Sequence, residues 1–237
     1  MRLSRAMPLR ILTVLLMAAS AMKGGDFFAQ FWPEVNLFVR AGQNTRFYFV
    51  GSGTRVKEGG RSDGQLGAHM DFFLAPMFRS RERMHPELGP NKFLMARVGY
   101  LYNRTPESTT SPAYGEHTID VEMTPRFYLP AKVLATDRNR GDLGFSQGEF
   151  KPRYRNRLQF ERSCETGRTM SLTPYVYVEV FYDWRYNAFS RQRYAAGNVV
   201  QFNKHVAVDG YYLRQEDSKA QTKGTNIVGV ALQFFVR

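Results

Sequence analysis

The sequence has a single cysteine, Cys164, among 237 residues. That excludes an internal disulfide framework and a multi-cysteine zinc site. Long apolar runs are also missing. The longest, Ile11 to Met22, is 12 residues, short of the roughly 20 that a helix needs to cross a bilayer. No H-E-x-x-H, C-x-x-C, Walker, dinucleotide or G-x-S-x-G motif occurs, so neither a metal nor a cofactor is expected. Sustained helical periodicity is scarce. Two things are abundant instead: aromatic residues, with 13 Tyr and 19 Phe, and positive charge, with 33 Lys and Arg against 21 Asp and Glu.

The N-terminus carries a targeting pattern. Arg2, Arg5 and Arg10 form a basic region without an acid, Ile11–Ala18 is apolar, and Ala19-Ser20-Ala21 supplies the small-x-small cleavage pattern. Residues 1–21 are therefore expected to be a signal peptide cut near Ala21, and residues 22–237 a single domain. The mature chain would keep 30 basic residues against 21 acidic ones.

Beyond the signal, period-2 alternation recurs. Leu172, Val176, Val178, Val180 and Tyr182 fall on one face of a strand, and Thr173, Tyr175, Tyr177, Glu179, Phe181 and Asp183 on the other. Ile119, Val121, Met123 and Phe127 oppose Asp120, Glu122, Thr124 and Arg126. Tyr154, Leu158 and Phe160 oppose Arg153, Arg155, Arg157, Gln159 and Glu161. Val228, Val230, Leu232 and Phe234 oppose Gly229, Ala231 and Gln233. Further segments are read at 28–41, 45–54, 65–77, 93–104, 134–145, 191–202 and 205–216. Short connections (42–44, 129–132, 165–167, 203–204) alternate with longer polar ones (55–64, 105–115, 142–149, 183–190, 217–224).

This pattern predicts an all-β fold: a transmembrane antiparallel up-and-down β-barrel of 10–12 strands. Several segments run 12 to 15 residues, against the usual ~5–6 of globular strands. The polar face is charged with both signs, as a narrow lumen requires. Eleven segments are read, and the even strand number of bacterial single-chain barrels favours twelve. The competing fold is a secreted soluble β-sandwich, which would show similar alternation.

Five stretches then appear in order: Phe31-Trp32-Pro33-Glu34-Val35, Asp137-Arg138-Asn139-Arg140, Arg153-Tyr154-Arg155-Asn156-Arg157-Leu158, Thr173-Pro174-Tyr175 leading to Glu179-Val180-Phe181-Tyr182-Asp183, and Gln215-Glu216-Asp217-Ser218. Together they resemble the bacterial outer-membrane barrel family known as domain of unknown function 2490. The resemblance implies an outer-membrane barrel in a Gram-negative bacterium, and no activity.

The leading candidate site is an arginine ladder. Arg153, Arg155 and Arg157 share one strand face, and Arg138 and Arg140 share parity on the preceding segment. Arginine forks suit phosphate or carboxylate, which makes the ladder a candidate anion path. The bland alternative is an internal salt-bridge network with Asp120, Glu122, Glu161, Glu179 and Asp183. Asp137 and Asp142 read as turn and pairing residues. An enzyme acting on lipid or lipopolysaccharide would need a histidine joined to a serine. Of His69, His85, His117 and His205, only His69 has an upstream neighbour of note, Ser62, and it reads as a lumen hydrogen-bonder near Asp71. The expected partners are outer-membrane lipids, lipopolysaccharide and the barrel assembly machinery. Arg55, Lys57, Arg61, Arg185, Arg191, Arg193, Lys219 and Lys223 lie in or near loops and could meet the lipopolysaccharide phosphates. Nucleic acid is not expected as a partner, and a monomer is.

Overall fold

A computed structural model of the chain describes residues 29–56, 62–76, 92–107, 113–166, 170–218 and 224–236. The expected signal peptide, His85, Lys57, Arg61, Lys219 and Lys223 lie outside the described residues, as does the side chain of Ser62.

Twelve strands follow one another. They are β1 (Gln30–Arg40), β2 (Thr45–Val56), β3 (Ser62–Pro76), β4 (Lys92–Thr105), β5 (Tyr114–Leu129), β6 (Val133–Ser146), β7 (Glu149–Glu161), β8 (Cys164–Glu165), β9 (Ser171–Asp183), β10 (Ala188–Gln201), β11 (Val206–Asp217) and β12 (Gly224–Val236). All but β8 form one closed wall, each long strand pairing with the next. The two-residue β8 lies outside this circuit, paired only with the start of β9.

The wall therefore has eleven strands, matching the eleven segments read from the alternation and not the favoured even count of twelve. Parity explains the closure. In an up-and-down order with an odd count, the first and last strands run the same way. The seam is accordingly parallel, from Gln30 opposite Ile227 to Val39 opposite Val236. Every other neighbouring pair is antiparallel. A two-sheet sandwich is not formed, because one continuous sheet closes on itself.

The short connections at 41–44, 130–132 and 202–205 gather at one end of the wall. At the opposite end, two connections expected to be long are tight. The link between β6 and β7 is only Gln147-Gly148, with φ of 53° and 80°. Positive φ at both central residues is the hairpin geometry that matches strand twist, and glycine takes it without strain. β9 and β10 are joined by 184–187. Asp142 therefore sits inside β6 and not in a turn.

The alternation turns the barrel inside out relative to a soluble protein. On β5, Asp120 and Glu122 are 0% and 1% exposed, while Val121 and Met123 are each 52% exposed. On β9, Thr173, Tyr175, Tyr177, Glu179, Phe181 and Asp183 are buried, and Val176 and Val178 face out. The lumen is filled by these inward side chains. An apolar cluster built from Phe38, Tyr175, Tyr177, Val199, Leu213, Ile227 and Phe235 occupies part of it.

Candidate functional site in the lumen

The charged part of the lumen is built by β5, β6, β7 and β9, which pair side by side. Period 2 directs alternate residues of each strand inward, so four strands deliver a two-dimensional array of charges. Arg138 stands opposite Arg157 and Arg140 opposite Arg155, as the shared parity predicts. Like charges directly opposite each other are destabilising unless acids intervene. Here they do.

Glu179, fully buried, is the hub. Its carboxylate is 2.5 Å from Arg138, 3.0 Å from Arg155, 3.2 Å from Arg157 and 3.6 Å from Arg193. The other ladder members find acids too. Arg140 Nε donates to Asp142 at 2.5 Å and lies 3.7 Å from Asp120. Arg155 is 3.5 Å from Asp142. Arg138 is 3.9 Å from Glu122. Arg153 Nη2 donates to Glu116 at 2.7 Å.

Three of the five expected acids, Asp120, Glu122 and Glu179, thus meet the ladder. Asp183 is held instead by Arg185, whose Nη2 donates at 2.6 Å from the adjacent turn. Those hydrogen bonds raise the pKa of Arg185. Glu161 lies nearer the short-turn end, where it accepts from Gln159 at 2.7 Å and acts electrostatically on Arg126. Asp142 and Glu116 complete the array. Asp142 read as a turn and pairing residue, and the polar appearance of 142–149 concealed its strand parity.

Arg191 and Arg193 also depart from the expectation of loop cations. Both lie on β10 and face inward. Arg191 Nε donates to Asp217 at 2.5 Å, and Arg193 Nε donates to Gln215 at 2.8 Å. Small and aliphatic residues occupy both faces of β10, so its alternation carries little contrast. A register shift between Phe189 and Arg191 further obscures it.

A second ionic unit lies across β2, β3 and β4. Asp71 accepts from Arg46 at 2.5 and 2.8 Å and from Arg97 at 2.6 Å. Guanidinium planes then bridge from charge to rings. Arg46 lies over Phe38 at 4.5 Å, Arg97 over Tyr48 at 4.5 Å, and Arg157 over Tyr177 at 4.0 Å. Such contacts stabilise a desolvated cation by about 2 kcal/mol or more.

The described histidines have separate settings. His69 is buried in the lumen, with Nε2 3.2 Å from Asp120 and its ring stacked on Tyr48. It occupies the space that a side chain at Gly99 would need, since a Cβ there would fall 1.9 Å from its ring. His117 faces outward, its Nδ1 2.5 Å from the Tyr100 hydroxyl. The His205 Nδ1 donates to the Phe235 carbonyl at 2.9 Å. Among the described residues no group of three or more His, Cys, Asp or Glu is placed to hold a metal ion.

The array can do one of two things chemically. Filled and paired, it staples the inside of the wall. Hydrated, it offers a basic surface to anions, since the buried Nε–H groups of Arg138, Arg153, Arg155 and Arg157 donate no hydrogen bond within the described protein. A family model described as "Protein of unknown function (DUF2490)" matches residues 29–226. No curated protein matches the chain.

Proposed function

The chain belongs to the DUF2490 family, and on that footing we propose that it is an outer-membrane β-barrel with a plugged, ion-paired lumen and a structural or narrow transport role. The observation that carries the reading is the inversion of the wall. Carboxylates and guanidiniums are buried inside, whereas Val35, Phe47, Phe49, Val98, Val121 and Val178 are each more than 40% exposed outside. A soluble protein rarely exposes apolar surface on that scale. Lipid covers it without cost, and a closed wall leaves no strand edge unpaired in hydrocarbon. Tyrosines and His117 near the strand ends suit the girdle at a membrane interface. On this reading the signal peptide directs export, the barrel assembly machinery inserts the wall, and lipopolysaccharide meets it at the end opposite the 41–44, 130–132 and 202–205 connections.

The plugged state is favoured because each ladder arginine has an acid within 4 Å. The second reading, an anion path along Arg153, Arg155 and Arg157, rests on the unpartnered Nε atoms. The test is fractionation followed by planar-bilayer recording. The protein is expected in outer membranes, with heat-modifiable migration and negligible conductance. Recovery from the periplasm by osmotic shock would overturn the membrane reading. Clear anion-selective conductance would promote the second reading.

A further inference from the structure

The motif that builds the ladder also places four polar residues on the opposite face. Asp137 and Asn139 of β6, and Tyr154 and Asn156 of β7, alternate with the lumen arginines and so point outward. Asn139 is the seventh of 14 residues in β6, and Asn156 the eighth of 13 in β7. The two are direct cross-strand partners. The cluster therefore lies mid-wall, at the depth where the outward face should be apolar. Its surroundings are apolar, with Val121, Met123, Leu158 and Val178 all more than 40% exposed. Asp137 is the one outward carboxylate among the described residues that lies more than two positions from a strand end.

The four side chains form a connected unit. The Tyr154 hydroxyl donates to Asn139 Oδ1 at 2.5 Å. Asn156 Nδ2 donates to Asp137 Oδ1 at 2.6 Å and to Asn139 Oδ1 at 3.2 Å. Asn139 Nδ2 donates to the Asp137 carbonyl at 3.2 Å. This leaves one N–H of Asn139 and the acceptors Asn156 Oδ1 and Asp137 Oδ2 without a partner among the described residues. Polar groups facing hydrocarbon are costly, and those found at membrane depth usually meet one another or a partner.

We propose that the outward face of β6 and β7 is the contact surface for a second copy of this chain, across a two-fold axis along the membrane normal. The proposal rests on the outer-membrane reading above. Three features select a second copy over another occupant. A two-fold axis along the normal preserves depth, so the cluster of one copy meets the cluster of the other at the same level. That rotation sets β6 of one copy against β7 of its mate, bringing Asn139 to Asn156 and Asn156 to Asn139. The open amide groups are complementary in this arrangement, because the spare Asn139 N–H donates to the spare Asn156 oxygen, twice. Gly141, beside Tyr154 on the same face, has nothing within 4 Å of a would-be Cβ, which lets two walls approach closely.

The test uses the full chain in its own outer membrane with Cys164→Ser as background. Leu158→Cys, on the same outward face and outside the hydrogen-bonded cluster, is compared with Val230→Cys, on β12 at the far side of the barrel. A short bis-maleimide cross-linker is expected to give a species of twice the chain mass for Leu158→Cys and not for Val230→Cys. In lipid nanodiscs, the pair Asn139→Leu and Asn156→Leu should lower the two-chain fraction at least tenfold, with heat-modifiable migration unchanged. A single-chain species for cross-linked Leu158→Cys in a correctly inserted barrel would overturn the proposal. So would a conjugate with a protein of different mass. Absence of the chain from the outer membrane would overturn the membrane reading, and this proposal with it.

Discussion

Across the lumen, the stretch of wall made by β5, β6 and β7 buries charge, whereas the stretch made by β10, β11, β12 and β1 buries mostly rings and aliphatic side chains, although Arg191 and Arg193 of β10 also face in. β9 is the border and carries both: Tyr175 and Tyr177 toward its start, Glu179 and Asp183 toward its end. The apolar half is filled by volume. Tyr211 lies where a side chain on Gly229 would be, and Tyr175 where one on Gly197 would be. The charged half is filled by pairing, and its geometry is specific to the atom. Packing tolerates exchange of similar volumes. A buried ion array does not tolerate loss of one sign. The same barrel thus has a forgiving half and an exacting half.

That contrast can be tested by weight. The largest loss is expected from Glu179→Gln, which withdraws the shared anion from four guanidiniums. Breaking a buried pair from one side costs about 3–5 kcal/mol. Urea unfolding in lipid vesicles should show at least that loss, or failure to assemble. Leu213→Ala, in the apolar half, should cost about 3 kcal/mol by cavity formation, with assembly retained. If Leu213→Ala proved the more damaging, the ranking of the two halves would be reversed.

Arg155→Met is expected to be milder. Glu179 keeps three cations and Asp142 keeps Arg140, so about 1.5–3 kcal/mol is lost, the range of a hydrogen bond to a charged group. Conductance should stay negligible. Near-neutral stability combined with a change in ion selectivity would replace the stapled lumen with a hydrated one. The smallest effect is expected from salt. Buried pairs are screened far less than surface ones, so raising NaCl from about 0.05 to 0.5 M should move the unfolding midpoint very little. A large destabilisation would mean that the array is open to solvent.

The two halves also differed in how well they could be read. In β5, β7 and β9 a charged or aromatic face opposes an aliphatic one, and the parity of Asp120, Arg155 and Val178 follows from the alternation alone. In β10 the pairs Ala195-Ala196 and Val199-Val200 put similar residues on both faces, so Arg193 was not recognisable as a lumen residue. The eleven segments were legible. The parallel seam was not, because pairing of the first strand with the last is a long-range property without a local pattern. Asp142 was obscured by a polar stretch that closes in a two-residue turn. Asn139 and Asn156 were visible as part of the ladder motif, but their outward direction gained meaning only once the wall around them proved apolar.

The central claim is that charge faces a sealed interior and aliphatic side chains face lipid. Its most direct test is a spin-label scan along β9 in reconstituted membranes, with Cys164→Ser as background. Labels at 176, 178 and 180 should be accessible to oxygen dissolved in lipid and shielded from a water-soluble nickel complex, while labels at 173, 177 and 181, which face inward and leave Glu179 in place, should be shielded from both. Access of the nickel complex to Val176→Cys, Val178→Cys and Val180→Cys would place that face in water and contradict the account.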